Sequence, residues 1–501
     1  MGMSTTDAAG GDAYDALLDR YRRVSNVRHA DGILMWDQQT KMPAGGTPAR
    51  AEQRSTLSSL EHDLLTDGEL GRLLEAVDEG GLDDAERAAV AEIRRQHERA
   101  DRVPDELVAD IARIESSAHE TWVEAKADDD FDALAPTLER IVDRYRERAD
   151  HLDSGKHPFE AIYGDSEPFL PISTVEEIFE DLKATLVPLV EEIRAAGELP
   201  TPFDGTYDER SQLALSEDAL DRVGYDWTRG RLDTAAHPFT FGNQFDCRVT
   251  TRFDESDPLA GLTSTVHEFG HATYNLGLPR ERYGTPLGES GSHGVHESQS
   301  RFFENHVGRS KPFWEGFVDT ANDRLGSGAS AEAAYAAVNR VKPDNRIRVE
   351  ADELTYHLHI LVRFETEKAL LGGDIEVSEV PAMWNDKMEE YLGVRPETDS
   401  EGCLQDIHWT AGYLAAFQNY TVGSVLAAQL DAAMREELDD VDALIRDGEF
   451  GPVHEWLSEN VHRHGRRYPT DELVAEATGE PLSADAFREY ATAKFESLYG
   501  L

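Results

Sequence analysis

A mainly α-helical fold with one short β element is predicted by three features of this 501-residue sequence. Apolar residues recur at helical spacing from Asp12 to about Gly197, and helices dominate again from Asp257 to the C-terminus. Only one stretch, around His237 to Phe253, is β-branched and aromatic enough to read as strands. Helix-start signals stand where the periodicity begins. No fixed-period repeat or clear linker breaks the chain. One mainly helical, two-lobed unit over 1–501 is therefore expected, with an N-terminal helical half (about 12–200) and a second half (201–501).

The elements follow in order. Ala49 to Leu65, Asp83 to Arg99 and Phe131 to His151 are amphipathic helices. Ser173 with Glu176 forms a capping-box pattern before Ile178, Leu182 and Leu186, which recur every four residues. His237 to Gly242 and Arg248 to Phe253 read as two short strands, a small β-hairpin. Asp257-Pro258 supplies an N-cap and a proline at N1, opening a helix that runs to about Gly277.

The charge is extreme: 99 acidic against 49 basic residues, net −50. Lysine is rare and nearly all basic residues are arginine. Such a surface repels nucleic-acid phosphates and anionic lipid, which argues against both as partners. Apolar periodicity rules out disorder as the meaning of so much charge. The composition fits a folded protein of a salt-rich cytoplasm, where ions screen self-repulsion. With two cysteines, Cys247 and Cys403, the chain reads as intracellular with buried thiols. No signal peptide stands in Met1 to Asp15, and no apolar run is long enough to span a membrane. Met1-Gly2 with Thr6 fits an acylation pattern and Asn419-Tyr420-Thr421 a glycosylation pattern; both read as chance.

The chemistry sits in His267-Glu268-Phe269-Gly270-His271. Histidines at i and i+4 of a helix face one side and can share one metal. Glu268 can reach a water on that metal and take its proton, while the metal polarises a scissile carbonyl. Ala272 follows where a metzincin would continue toward a third histidine, so the third ligand comes from elsewhere. Glu297, in Gly294-Val295-His296-Glu297-Ser298-Gln299 at the start of another helix, is the natural candidate, and would leave a fourth position open. Taken alone, it would read as an exposed helix carboxylate. His462 and His464, in a run with Arg463, Arg466 and Arg467, read as a solvated basic patch.

Further segments in a fixed order make the sequence resemble the M32 family of metallocarboxypeptidases, typified by carboxypeptidase Taq. They are Leu34-Met35-Trp36-Asp37-Gln38, His237-Pro238-Phe239, Asp246-Cys247-Arg248-Val249-Thr250, the two metal segments, Ile347 to Asp352, and Gly402 to Trp409. The resemblance covers nearly the whole chain. It implies a helical fold with a deep cleft, similar to helical oligopeptidases, and broad removal of single residues from peptide C-termini. It also implies one divalent metal per subunit, zinc or cobalt, and a homodimer. Arg348 and Arg248 match the family's signature arginines and are the candidates for the substrate's terminal carboxylate, which guanidinium forks bind bidentately. His237, His408 and Tyr420 are candidate donors to the oxyanion. The sequence departs from the family after His408-Trp409. A Gly-Tyr-Phe-Pro-Thr-Tyr-like run is here Ala415-Ala416-Phe417-Gln418-Asn419-Tyr420, which leaves the metal segment intact and changes substrate contacts. Two alternatives stand beside this reading: a helical oligopeptidase cutting internally by the same chemistry, and an inactive helical peptide-binding protein.

Overall fold

A computed structural model of the chain describes residues 5–501; the Met1-Gly2 start of the acylation pattern lies outside them. The fold is mainly helical with one three-stranded sheet. The helices expected from periodicity are present as Thr47–Thr66, Asp84–Arg102 and Phe131–Asp153. Among the described residues no helix is long and apolar enough to cross a membrane.

The chain divides into two compact units, and both draw on both halves of the sequence. The first comprises the chain up to Asp101 with Thr201–Ala334 and Leu430–Glu480; the second comprises Arg102–Pro200, Tyr335–Gln429 and Pro481–Leu501. The first unit crosses the midpoint because the N-terminal helix, Thr5–Thr40, docks on a sheet made some two hundred residues later.

That sheet has the order β1-β3-β2, with β1 Gly230–Thr234, β2 Thr240–Gly242 and β3 Cys247–Thr251. β2 and β3 are the expected hairpin, antiparallel with Thr240 opposite Val249. β1 is parallel to β3, with Arg231 opposite Arg248. Its sequence, Gly-Arg-Leu-Asp-Thr, has one large apolar residue, so patterning did not announce it. Alternation gives the sheet two faces. Cys247, Val249 and Thr251 face the Pro258–Gly277 helix: Thr251 reaches Gly261 O at 3.1 Å and Thr265 at 3.0 Å. Phe241, Arg231 and Arg248 face the N-terminal helix at Gly32 and Trp36.

In the second unit the Ile172–Ala196 and Thr355–Gly372 helices share a core in which Phe179 and Phe364 stand 4.8 Å apart. Ile178, Leu182 and Leu186 are buried as their spacing requires. The capping box does not form. Pro171 occupies the N-cap and the helix starts before Ser173, whose side chain makes no cap bond. Proline's locked φ presets the entry to the helix and places the boundary there. Asn419 is buried and bonded to Ser166, closed to glycosylation in the fold. Cys247 and Cys403 are free, buried thiols.

Candidate active site

The Pro258–Gly277 helix starts where the sequence places it: Asp257 accepts a hydrogen bond from Ala260 N at 3.2 Å, with Pro258 in the first turn. Its buried side carries Val266, Phe269, Ala272 and Tyr274. His267 and His271, one turn apart, place their rings 5.0 Å apart and nearly perpendicular.

Glu297 arrives on the His293–Arg301 helix, which is capped by Ser292 accepting from Val295 N. Gly270 explains how close the two helices come. A methyl group there would overlap the carbonyl of Gln299 and the Cα of Ser300. Glycine removes that obstacle. Glu297 Oε2 then lies 3.5 Å from His271 Nε2, and the donor atoms of His267, His271 and Glu297 all fall within 4.8 Å of one another.

The surrounding hydrogen bonds leave the right atoms for a cation. His267 Nδ1 meets Glu304 Oε2 at 2.8 Å, and His271 Nδ1 meets the His296 carbonyl at 3.2 Å, so each ring keeps Nε2 for a metal. Arg301 donates to Glu297 Oε1 at 2.7 Å, leaving Oε2 on the histidine side. Two imidazoles and one carboxylate, oriented by outer partners, fit a zinc-like ion with an open position. Sequence reasoning missed Glu304. It sits seven residues beyond Glu297 in a π-helical turn, Phe302–Gly308, a local widening that no pattern announces. Arg309 and Arg301 also bind Glu304, at 3.0 and 3.2 Å.

The electrostatics follow from burial and these partners. Burial disfavours a charged His267, but the charge of Glu297 and the contact with Glu304 outweigh it, and its pKa is raised. Burial, then the neighbouring His296 and His267, pushes His271 well below the usual range. Burial also opposes ionisation of Glu304, yet Arg301 and Arg309 hold it well below the carboxylate range. Glu268 is the contrast: burial raises its carboxyl to about 7, against the opposing effects of His267 and a hydrogen bond from Thr240. A carboxyl poised near neutrality suits a proton carrier.

The other predicted residues stand in different surroundings. His237 is exposed in the turn before β2. Arg248 projects from the sheet face opposite Val249, stacks over Trp36 at 4.4 Å, and gives its Nε and Nη2 to Asp246 at 2.9 and 2.7 Å. In the second unit, Arg348 gives Nε and Nη2 to Asp406 at 3.0 and 2.8 Å and lies 5.4 Å from the Phe417 ring and 6.0 Å from that of Tyr420. His408 packs on Phe417 with centroids 4.3 Å apart. Arg348, His408 and Tyr420 thus gather around one phenylalanine. Arg363, wholly buried, binds the other oxygen of Asp406, so two guanidiniums share one carboxylate. The divergent segment is braced there. Ala415 holds a left-handed φ of 53°; its amide donates to Glu367 at 3.0 Å and its carbonyl accepts from Gln418 at 2.6 Å. His462 is a correction: far from solvated, it is buried and meets Gln299 at 2.8 Å.

The comparisons with known proteins point one way. A family model described as carboxypeptidase Taq (M32) metallopeptidase matches residues 16–495. The sequence is 38% identical to thermostable carboxypeptidase 1 of Pyrococcus furiosus over 492 residues, 96% of this chain and 97% of that protein. It is 36% identical to carboxypeptidase 1 of Bacillus subtilis over 489 residues, 96% and 97% of the two chains. The solved M32 carboxypeptidase from Deinococcus radiodurans shares the fold at a TM-score of 0.94 with 37% identity, covering 98% of this chain and 100% of that one.

Proposed function

The chain belongs to the M32 family of metallocarboxypeptidases and is a metal-dependent carboxypeptidase; on that premise we propose that it removes single residues from peptide C-termini, with broad specificity, at His267, His271, Glu297 and Glu268. The observation that carries this is the convergence of one ring nitrogen from each histidine and one carboxylate oxygen beside a buried carboxyl poised near pH 7. His267, His271 and Glu297 would hold one divalent ion per subunit, zinc ahead of cobalt by the chemistry of the donor set. When bound, the ion supplies Lewis-acid polarisation of the scissile carbonyl and acidifies water.

The protein's own groups do the rest. Glu268 takes the proton of the attacking water and passes it to the leaving amine. Glu304 and the His296 carbonyl keep the two imidazoles in the tautomer that leaves Nε2 unprotonated. Arg348 is assigned to the substrate's terminal carboxylate. In support, Arg348, Arg363 and Asp406 together carry one positive charge more than they cancel, in a chain of net charge −50. Arg248 comes second: Asp246 and Arg248 pair one to one, whereas two guanidiniums share Asp406. His237, His408 and Tyr420 are assigned as donors to the oxyanion. A cytoplasmic homodimer in high salt extends the reading, supported by the family resemblance, the acidic composition and two free thiols.

The test is peptide hydrolysis followed by mass spectrometry in high salt with zinc or cobalt, on free-acid and C-terminally amidated peptides. Stepwise C-terminal loss by wild type, none by Glu268→Gln, and a KM raised at least about tenfold in Arg348→Ala on free acids are expected. Internal cuts, or equal cutting of amidated peptides, would replace the reading by an oligopeptidase. No cutting under any loading would leave a peptide-binding protein.

A further inference from the structure

We propose that Thr240 is a positioning residue for Glu268, and that a notch at Gly32 in the N-terminal helix sets where Thr240 stands. The inference rests on the reading of Glu268 as the proton carrier.

The terminal torsion of a glutamate is broad and weakly restrained by its own rotamer preferences. Something outside the side chain must therefore decide which oxygen faces the reaction. Glu268 is buried, 6% exposed, which limits what bulk water can contribute. Thr240 Oγ1 lies 2.8 Å from Glu268 Oε2 and 2.8 Å from the Glu268 backbone carbonyl. One hydroxyl thus touches the catalytic side chain and the helix that carries it. It has one proton and two acceptors within reach. Donated to Oε2, that proton fixes the carboxylate plane and leaves Oε1 as the oxygen that receives a proton from water.

Thr240 can do this only because its three-residue strand is gripped on both sides. Before it, Thr250 Oγ1 accepts from Phe239 N at 2.8 Å and donates to Phe239 O at 2.9 Å. After it, Phe241 points to the opposite face, toward the N-terminal helix, into the space that a side chain on Gly32 would occupy. Adding a Cβ at Gly32 would overlap the Phe241 ring, so the ring must move. Thr240, its neighbour in a strand tied at Phe239, absorbs part of that movement. A residue 236 positions before the base in sequence is in this way coupled to the orientation of the base.

The experiment compares Thr240→Val, Thr240→Ser, Gly32→Ala and the Gly32→Ala/Thr240→Val double variant in the metal-loaded enzyme. Steady-state kinetics are read together with zinc affinity and urea midpoint. Valine keeps the shape and removes the hydroxyl, so kcat is expected to fall by about 10- to 100-fold with KM within about twofold and zinc affinity unchanged, while the urea midpoint drops slightly for one lost buried hydrogen bond. Serine restores kcat to within about fivefold of wild type. Gly32→Ala lowers kcat severalfold with Thr240 present and has no further effect in the Thr240→Val background, as coupled positions require. Full kcat in Thr240→Val, a serine loss as deep as the valine loss, or an equal Gly32→Ala effect in both backgrounds would each overturn the proposal. Activity in Glu268→Gln would instead sink the proton-carrier reading, so the two failures are distinct.

Discussion

Replacing Glu304 with alanine tests whether the metal centre depends on its outer partners as the geometry requires. The carboxylate does two things at once. Oε2 accepts from His267 Nδ1 at 2.8 Å, and the group is the counter-charge to Arg301 and Arg309. Loss of such an outer acceptor lowers metal affinity by about 10- to 100-fold, or about 1.4–2.7 kcal/mol. Removing one partner of a buried ion pair destabilises by about 3–5 kcal/mol. The side chains of Arg301 and Arg309 are 13% and 15% exposed, so water relieves little of that cost. Arg301 retains Glu297 at 2.7 Å, so the charge that loses its pairing with this carboxylate is mainly that of Arg309. About 3 kcal/mol, the low end of the range, follows. Glu304→Gln keeps an acceptor for His267 and loses the charge, so it should match alanine in stability and exceed it in zinc affinity. Because the two arginines hold the Glu304 carboxyl below its usual range, its contribution is present above the unfolded carboxyl pKa and lost as pH falls through the lower, folded one. Chelator competition for zinc at pH 7.5 and urea unfolding of the metal-free protein, both in molar KCl, are the assays. Zinc affinity of Glu304→Ala within twofold of wild type would refute the outer-partner argument. An unfolding free energy within 1 kcal/mol of wild type would refute the ion-pair argument.

Two further predictions concern the whole chain and the proton carrier. Burial raises the Glu268 carboxyl to about 7, so its folded pKa lies above the unfolded value. Ionisation then costs stability progressively from about pH 4.5 to 7. Metal-free Glu268→Gln should therefore be more stable than metal-free wild type at pH 8, by up to about 3 kcal/mol, and equal to it near pH 4; equal stability at both values in urea titrations would show that the carboxyl is not strained by burial. At a net charge of −50, self-repulsion opposes folding until ions shrink the screening length to about 3 Å near 1 M salt. The thermal midpoint should climb from low to molar KCl, and a flat profile would remove the high-salt reading.

The sequence by itself determined the chemistry and the helical class. Two histidines a turn apart with an adjacent glutamate declare a metal helix because the spacing alone puts the rings on one face. Asp257-Pro258 marks its start because capping is local. Tertiary structure decided what local rules cannot reach. Glu297 became a ligand candidate with geometry only because Gly270 lets two helices touch. Glu304 entered through a π-helical turn that shifts the register of side chains beyond Arg301. Pro171 overrode a capping box because its ring, not a hydrogen bond, fixed the helix start. Arg248 and Thr240 show the same limit within one sheet. The sequence placed both in one short hairpin, Arg248 as a candidate for the substrate carboxylate and Thr240 with no role. Strand alternation sent Thr240 to the carboxylate and Arg248 to the opposite face, where Trp36 arrives from a helix two hundred residues earlier. Which face a strand residue occupies depends on register, and register is set by partners far away in the chain.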